Sequence, residues 1–300
     1  MNELERKTSD IEETHEGTEP HVANSKMLTV QNNGNGNQKT QGVADIRRSV
    51  PDTRVKPWAN LQDVCELLGI PLDPSIPNEE LQLHYLRYRV GQFIYAVGQP
   101  FEMLYVVSTG FLKTVMIGDD GNEQVLSFPM KGDLLGIDGI HLHHYSSEAV
   151  ALSDCTVIAI PFKALNAVGK SYPALAHAMY GIISRELKLE TAMVAMLGSL
   201  SAEARVARFI AFLSDRFGDM GYSSKKFNLR MTRKEIGSYL GMQLETVSRT
   251  MSSLAAMGFI SVDQRAIEIL DIQALRTLRR LPPSQGRSDK RNGTRRAQSD

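Results

Sequence analysis

Met231 to Gly258 reads MTRKEIGSYLGMQLETVSRTMSSLAAMG, and the spacing within it decides the fold of the C-terminal part. Thr232 and Glu235 stand at capping-box distance, which predicts a helix starting at Arg233. Ile236 and Leu240 supply its buried face, and Gly241 gives the tight turn between two short helices. In the second helix Leu244, Val247, Met251 and Leu254 recur at steps of three and four, the mark of one buried face. Glu245, Ser248, Arg249 and Ser252 are then left on the open face, and Gly258 ends the helix. Phe259 to Val262 and Ala266 to Leu270 alternate as a small hairpin, the wing.

Two helices set this way place the second in the major groove of DNA, with its N-terminal residues on base edges. Arg249 suits a bidentate pair with guanine, Glu245 accepts from cytosine, and Ser248 serves either role or touches thymine. Thr232, Arg233 and Lys234 at the start of the first helix, with Ser252, are placed to hold the phosphate backbone. Glu245 and Arg249 are also an i, i+4 pair worth ~0.2–0.5 kcal/mol on any surface helix. The capped helix before them and the wing after them favour base reading.

Moving upstream, Ser201 caps a helix whose Val206, Phe209, Ile210, Leu213 and Phe217 share a face, with Gly218 expected just past its end. Before it, Leu175, Met179, Ile182, Leu189, Met193, Met196 and Leu200 recur at steps of four and three, interrupted by Glu186. A second stripe, Ile183, Leu187, Glu190, Val194 and Leu197, runs beside the first. A helix with two apolar faces has two partners: its own domain and a twin helix across a dimer seam. An acid on that seam faces its mate across the two-fold axis, which makes dimerisation switchable.

Arg89 to Pro161 changes character again. Short apolar runs (Phe93–Tyr95, Met103–Val107, Phe111–Ile117, Val125–Phe128) are separated by turn signals such as Gly118-Asp119-Asp120-Gly121 and Lys131-Gly132-Asp133. Many short strands predict an antiparallel roll. The class is therefore α+β: a tail at 1–55, a β-roll at 56–172, a dimerisation helix at 173–200 and a winged helix-turn-helix at 201–281. A basic tail at 282–300 completes the chain. Both tails read as disordered from their composition.

The 300 residues carry zero net charge, with 42% hydrophobic and 23% charged content, so a chain that coats nucleic acid or membrane without specificity is excluded. No apolar run approaches the ~20 residues of a membrane span and no signal-peptide pattern opens the chain, which predicts a cytoplasmic location. Two cysteines, Cys65 and Cys155, are too few for a disulfide framework.

The segment Glu245-Thr246-Val247-Ser248-Arg249, after T-R-x-x-I-G-x-Y-L-G, resembles the reading helix of the Crp/Fnr family of bacterial regulators. It is most similar to the fumarate-nitrate branch, whose helix carries E-x-x-S-R. The resemblance runs from about Val90 to Leu278, through Gly118 to Gln124, Gly132-Asp133-Leu134-Leu135-Gly136, Ile160-Pro161-Phe162 and Ala202 to Phe209. It implies a jelly roll like a cyclic-nucleotide-binding domain, a homodimer, and a palindrome of TTGAT-like half-sites read by Glu245, Ser248 and Arg249. It further implies an activator working with RNA polymerase, and it sets Glu190 on the seam.

The chain departs from the family in two places. Oxygen-sensing members hold an iron–sulfur cluster on four cysteines, whereas only Cys65 lies ahead of the roll and Cys155 falls four residues short of the matching position. Cyclic-nucleotide binders grip the phosphate with an Arg-Ser pair after G-E-L. Here Tyr145-Ser146-Ser147 follows, with no arginine from Lys131 to Phe162, so neither that cluster nor cyclic AMP is expected.

One rival remains. His141, His143 and Glu148 form His-x-His-x4-Glu, which resembles the first metal motif of cupins, and a strand would point both histidines to one face. That pattern would suit a metal-dependent enzyme or a metal or haem sensor. The second cupin motif is missing from the sequence, and no catalytic constellation stands elsewhere, so the expectation is a regulator rather than an enzyme.

Overall fold

The computed structural model describes residues 58–77, 81–118 and 121–279; the tails expected at 1–55 and 282–300, and Asp119-Asp120, lie outside them. β1 (Trp58–Ala59) and α1 (Leu61–Leu68) lead into a roll built from β2 (Leu83–Tyr88), β3 (Phe93–Tyr95), β4 (Met103–Thr109), β5 (Leu112–Ile117) and β6 (Glu123–Ser127). It closes with β7 (Leu134–Leu135), α2 (Gly139–Leu142), β8 (Glu148–Ala151) and β9 (Cys155–Pro161). These strands form two antiparallel sheets, ordered β1-β2-β9-β4-β7 and β3-β8-β5-β6. Between the sheets lie Tyr95, Tyr105, Val107, Leu112, Tyr145 and Val157, all buried.

On the outer side of the first sheet α1 lays Leu61, Val64, Cys65 and Leu68 against Leu104, Leu134, Ile158 and Ile160. α3 (Phe162–Ser171) and α4 (Pro173–Ser199) complete this layer through Leu165, Leu175 and Ile182. Pro173 opens α4 at a position where its missing N–H costs nothing. The first half of one stripe, Leu175, Met179 and Ile182, is therefore spent on the roll, while further along Leu189 is exposed and Met193 and Met196 pack against the cluster shared with the winged helix. In the other stripe Leu187 is 62% and Val194 69% exposed.

The two acids of α4 part ways. Glu190 is exposed, whereas Glu186 is half-buried with its Oε1 atom lacking a hydrogen-bond partner. Burial, then the neighbouring Asp133, push the Glu186 carboxyl above its usual range.

α5 (Ala202–Asp219) is capped by Ser201, whose hydroxyl accepts from the Ala204 N–H, and it buries all five of the residues expected on its face. Gly218 corrects the sequence expectation. It lies inside the helix, and the left-handed residue is Gly221 at φ 80°. β10 (Lys226–Asn228), α6 (Arg233–Leu240), α7 (Leu244–Ala256), β11 (Ile260–Asp263), β12 (Ala266–Ile269) and α8 (Ile272–Thr277) finish the chain. The wing is a three-stranded sheet, β10-β12-β11, rather than a hairpin alone.

One apolar cluster joins roll to winged helix. Val115, Val125, Phe128 and Met130 pack with Phe209, Phe217, Ile236 and Leu240 in a continuous core. Phe128 meets Phe209 and Tyr239 with ring centroids 5.9 and 5.2 Å away, and Phe111 meets Phe217 at 5.5 Å.

Candidate nucleic-acid interface

The site begins with the first helix of the pair. Thr232 caps α6 by accepting from the Glu235 N–H at 3.2 Å, and Glu235 answers by accepting from the Thr232 N–H at 2.7 Å. The capping box read from the sequence is thus closed in both directions. Gly241 ends α6 in the left-handed region at φ 62°, a conformation a residue with a Cβ adopts only at a cost. The chain then turns tightly enough that the Met242 carbonyl approaches Gly237.

α7 buries Val247, Thr250, Met251 and Leu254 against α5 and α6. Leu244 is a correction: at 41% exposure it lies open at the start of the helix, and Thr250 takes a buried place instead. The Leu244 backbone comes close to Gly237 in the middle of α6, while its side chain stays open. There Leu244 rims a groove of ≈ 250 Å³ shared with Leu229, Met231, Thr232, Arg233, Gln264 and Arg265.

Glu245, Ser248, Arg249 and Ser252 are all exposed on one face of α7. Arg249 Nη2 lies 3.5 Å from Thr246 Oγ1, its one hydrogen-bond contact among the described residues, so the guanidinium is hardly held. The Ser252 hydroxyl donates to the Ser248 carbonyl at 3.1 Å, within its own helix. Of the proposed backbone group, Thr232 and Lys234 are exposed, but Arg233 is drawn inward. Its guanidinium contacts Met251 Sδ and donates to the Gln264 carbonyl at 3.2 Å, tying α6 to α7 and the wing tip. Burial lowers its pKa.

The histidine motif is not assembled as a strand would assemble it. His141 sits in the short helix α2, and His143 follows it in a left-handed conformation at φ 59°, so they share no strand face. The reason is Asp138, just before α2. Its Oδ2 accepts from Ser146 N and Oγ at 3.1 and 2.9 Å, and from Ser147 N and Oγ at 2.9 and 2.8 Å. That clasp folds the segment into a loop. Only Glu148 starts a strand, half-buried near Lys113 and Glu123. Among the described residues no three His, Cys, Asp or Glu side chains gather as a metal site.

Behind the clasp the roll is filled. Tyr145 stacks on Tyr95 with centroids 4.1 Å apart, and its hydroxyl donates to the Met103 carbonyl at 2.8 Å. Both cysteines are buried, and burial pushes the Cys65 thiol up to about 11 and the Cys155 thiol up to about 12. Neither is a ready thiolate. No helix of the described residues is long and apolar enough to cross a membrane.

Comparison with known proteins agrees with this geometry. The cyclic nucleotide-binding domain family matches residues 85–172 and the Crp-like helix-turn-helix domain family matches residues 204–278. The transcriptional regulatory protein btr of Bordetella pertussis is 35% identical over 218 residues, 73% of this chain and 90% of that protein. The transcriptional activator protein anr of Pseudomonas aeruginosa is 33% identical, covering 75% of this chain and 91% of that one. Among solved structures, FixK2 from Bradyrhizobium japonicum superposes with a TM-score of 0.62 at 28% identity, over 67% of this chain and 100% of its own.

Proposed function

The chain belongs to the Crp/Fnr family of DNA-binding transcription regulators, and from that premise we propose a cytoplasmic homodimer that reads a palindrome of TTGAT-like half-sites. The observation that carries this reading is the exposed set Glu245, Ser248 and Arg249, on a helix braced by α6 and flanked by the wing. Thr232, Lys234 and Ser252 hold phosphate on either side, and Arg233 acts by fixing the helices to one another.

The dimer is supported by α4. In its second stripe Leu187 and Val194 are left exposed by the other described residues, Ile183 and Leu197 are half-buried, and Glu190 lies exposed in the middle. Two such helices side by side set two winged helices about one DNA turn apart. On this reading the regulator works with RNA polymerase as an activator, and 'activator' is the word that the name of the Pseudomonas relative gives for that protein.

Asp138 stands against cyclic AMP as the effector. Where the family's nucleotide binders place a cation for the phosphate, this roll has Ser146 and Ser147 already holding a carboxylate. Two buried cysteines likewise provide no four-cysteine cluster within one chain.

The test is fluorescence anisotropy on a duplex carrying TTGAT-N4-ATCAA against a scrambled duplex at fixed salt. The palindrome should win by ~10³ or more. Arg249→Ala should erase that preference while leaving circular dichroism unchanged; retained discrimination would remove Arg249 from the reading set.

A further inference from the structure

Lys113 lies on the roll, yet its ammonium is turned toward the DNA-binding head. Nζ sits 3.1 Å from Glu235 Oε1 and 3.3 Å from Glu123 Oε2, and the Lys113 side chain is only 14% exposed. Glu235 is the partner of the cap Thr232 in the capping box of α6, and its other oxygen, Oε2, accepts from Thr232 N and Oγ1 at 2.7 and 2.9 Å. One carboxylate therefore holds the helix start with one oxygen and the roll with the other. Burial works against the Lys113 charge, but the two acids outweigh it and hold its pKa above the usual value.

A second set of bonds runs alongside. β6 is the edge strand of its sheet, and α6 covers that edge. The Val125 N–H donates to Ser238 Oγ at 2.9 Å, Ser238 Oγ donates to the Glu123 carbonyl at 3.2 Å, and the Gln124 side chain donates to the Ser238 carbonyl. Hairpin β5–β6 thus grips α6 at its first turn and again one turn further on. This contact does not pass through α4.

We propose that Lys113 is a positioning residue for DNA binding: through Glu235 it holds the capping box of α6, and so fixes the angle at which the head meets the phosphate backbone. The proposal rests on the head assignment given above, and it adds a route from roll to head that is separate from the dimerisation helix. Thr232 and Lys234, the exposed residues of that helix start, are the groups whose aim Lys113 sets.

The test uses the full chain and an operator selected from random DNA, so that a wrong half-site does not spoil it. Lys113→Met, with Lys113→Gln in parallel should the first fail to fold, is compared with wild type and with Lys113→Arg. The expected result has three parts. Operator affinity falls about tenfold at an unchanged melting temperature. The salt slope of binding shrinks by about 1, as one phosphate hold is lost. In the DNA-free protein, amide exchange quickens at Arg233 to Glu235. Lys113→Arg restores all three.

Unchanged or tighter operator binding by the folded variants would overturn the proposal, as would unchanged exchange at the start of α6. Arg249→Ala, measured beside them, keeps the two readings apart. If it retains discrimination, the reading set is wrong, while amide exchange still reports on the Lys113 tie.

Discussion

At Gly237 there is no room for a methyl group. A Cβ built there would stand 2.6 Å from the Met242 carbonyl oxygen, a backbone atom that moves only if the turn between α6 and α7 moves. Gly237→Ala should therefore cost about 1–3 kcal/mol in thermal unfolding and weaken operator binding together with it. A variant that melts normally and binds normally would show that the turn yields. Little of this was legible beforehand. The sequence marks Gly241 as the turn glycine through its place after Leu240, and it has the left-handed conformation expected. Gly237 sits within a helix and gives no such signal, because its constraint comes from a residue packed against it. Leu244 shows the same limit. Its spacing matches the buried stripe, but spacing does not report whether a neighbouring element covers a given turn, and Leu244 is left 41% exposed.

At the scale of elements, α4 carries opposite charges of meaning in its two acids. Glu186 is enclosed by its own chain and Glu190 is not. On the dimer reading, Glu190→Ala removes a like-charge pair across the two-fold axis and tightens the dimer several-fold, on the order of 1 kcal/mol. Sedimentation velocity over a dilution series measures this, and an unchanged dimer constant would take Glu190 off the seam. The roll-facing residues Leu175, Met179 and Ile182 of α4 were readable because a long helix repeats its pattern over many turns. Short elements lack that redundancy. α1 was missed although Asn60 and Asp63 form a closed capping box, and β10 was missed because three residues carry no period. The strand that the metal reading of His141 to Glu148 required does not form, because Asp138 reaches forward to Ser146 and Ser147, a contact no local rule foresees.

For the whole molecule, the decisive feature is that roll and head share a core. Phe128 belongs to the roll but is buried by Phe209 and Tyr239 of the head. Phe128→Ala should cost about 3 kcal/mol or more and, beyond that, split one melting transition into two. A single transition, merely shifted, would mean that the remaining contacts suffice to couple the modules. The architecture of roll, long helix and winged helix was legible from periodicity and from the resemblance together. The docking of one on the other was not, since its residues lie about a hundred positions apart and pair only in three dimensions.

That shared core also limits how such regulators can be recombined. An exchange of the head at the start of α5 for one with other specificity would strip cover from Val115, Val125, Phe128 and Met130, leaving an oily scar on the roll. Lys113 would be left facing whatever the new head offers in place of Glu235. A working chimera must carry hairpin β5–β6 along with the head it serves, so the unit of exchange is not contiguous in the chain.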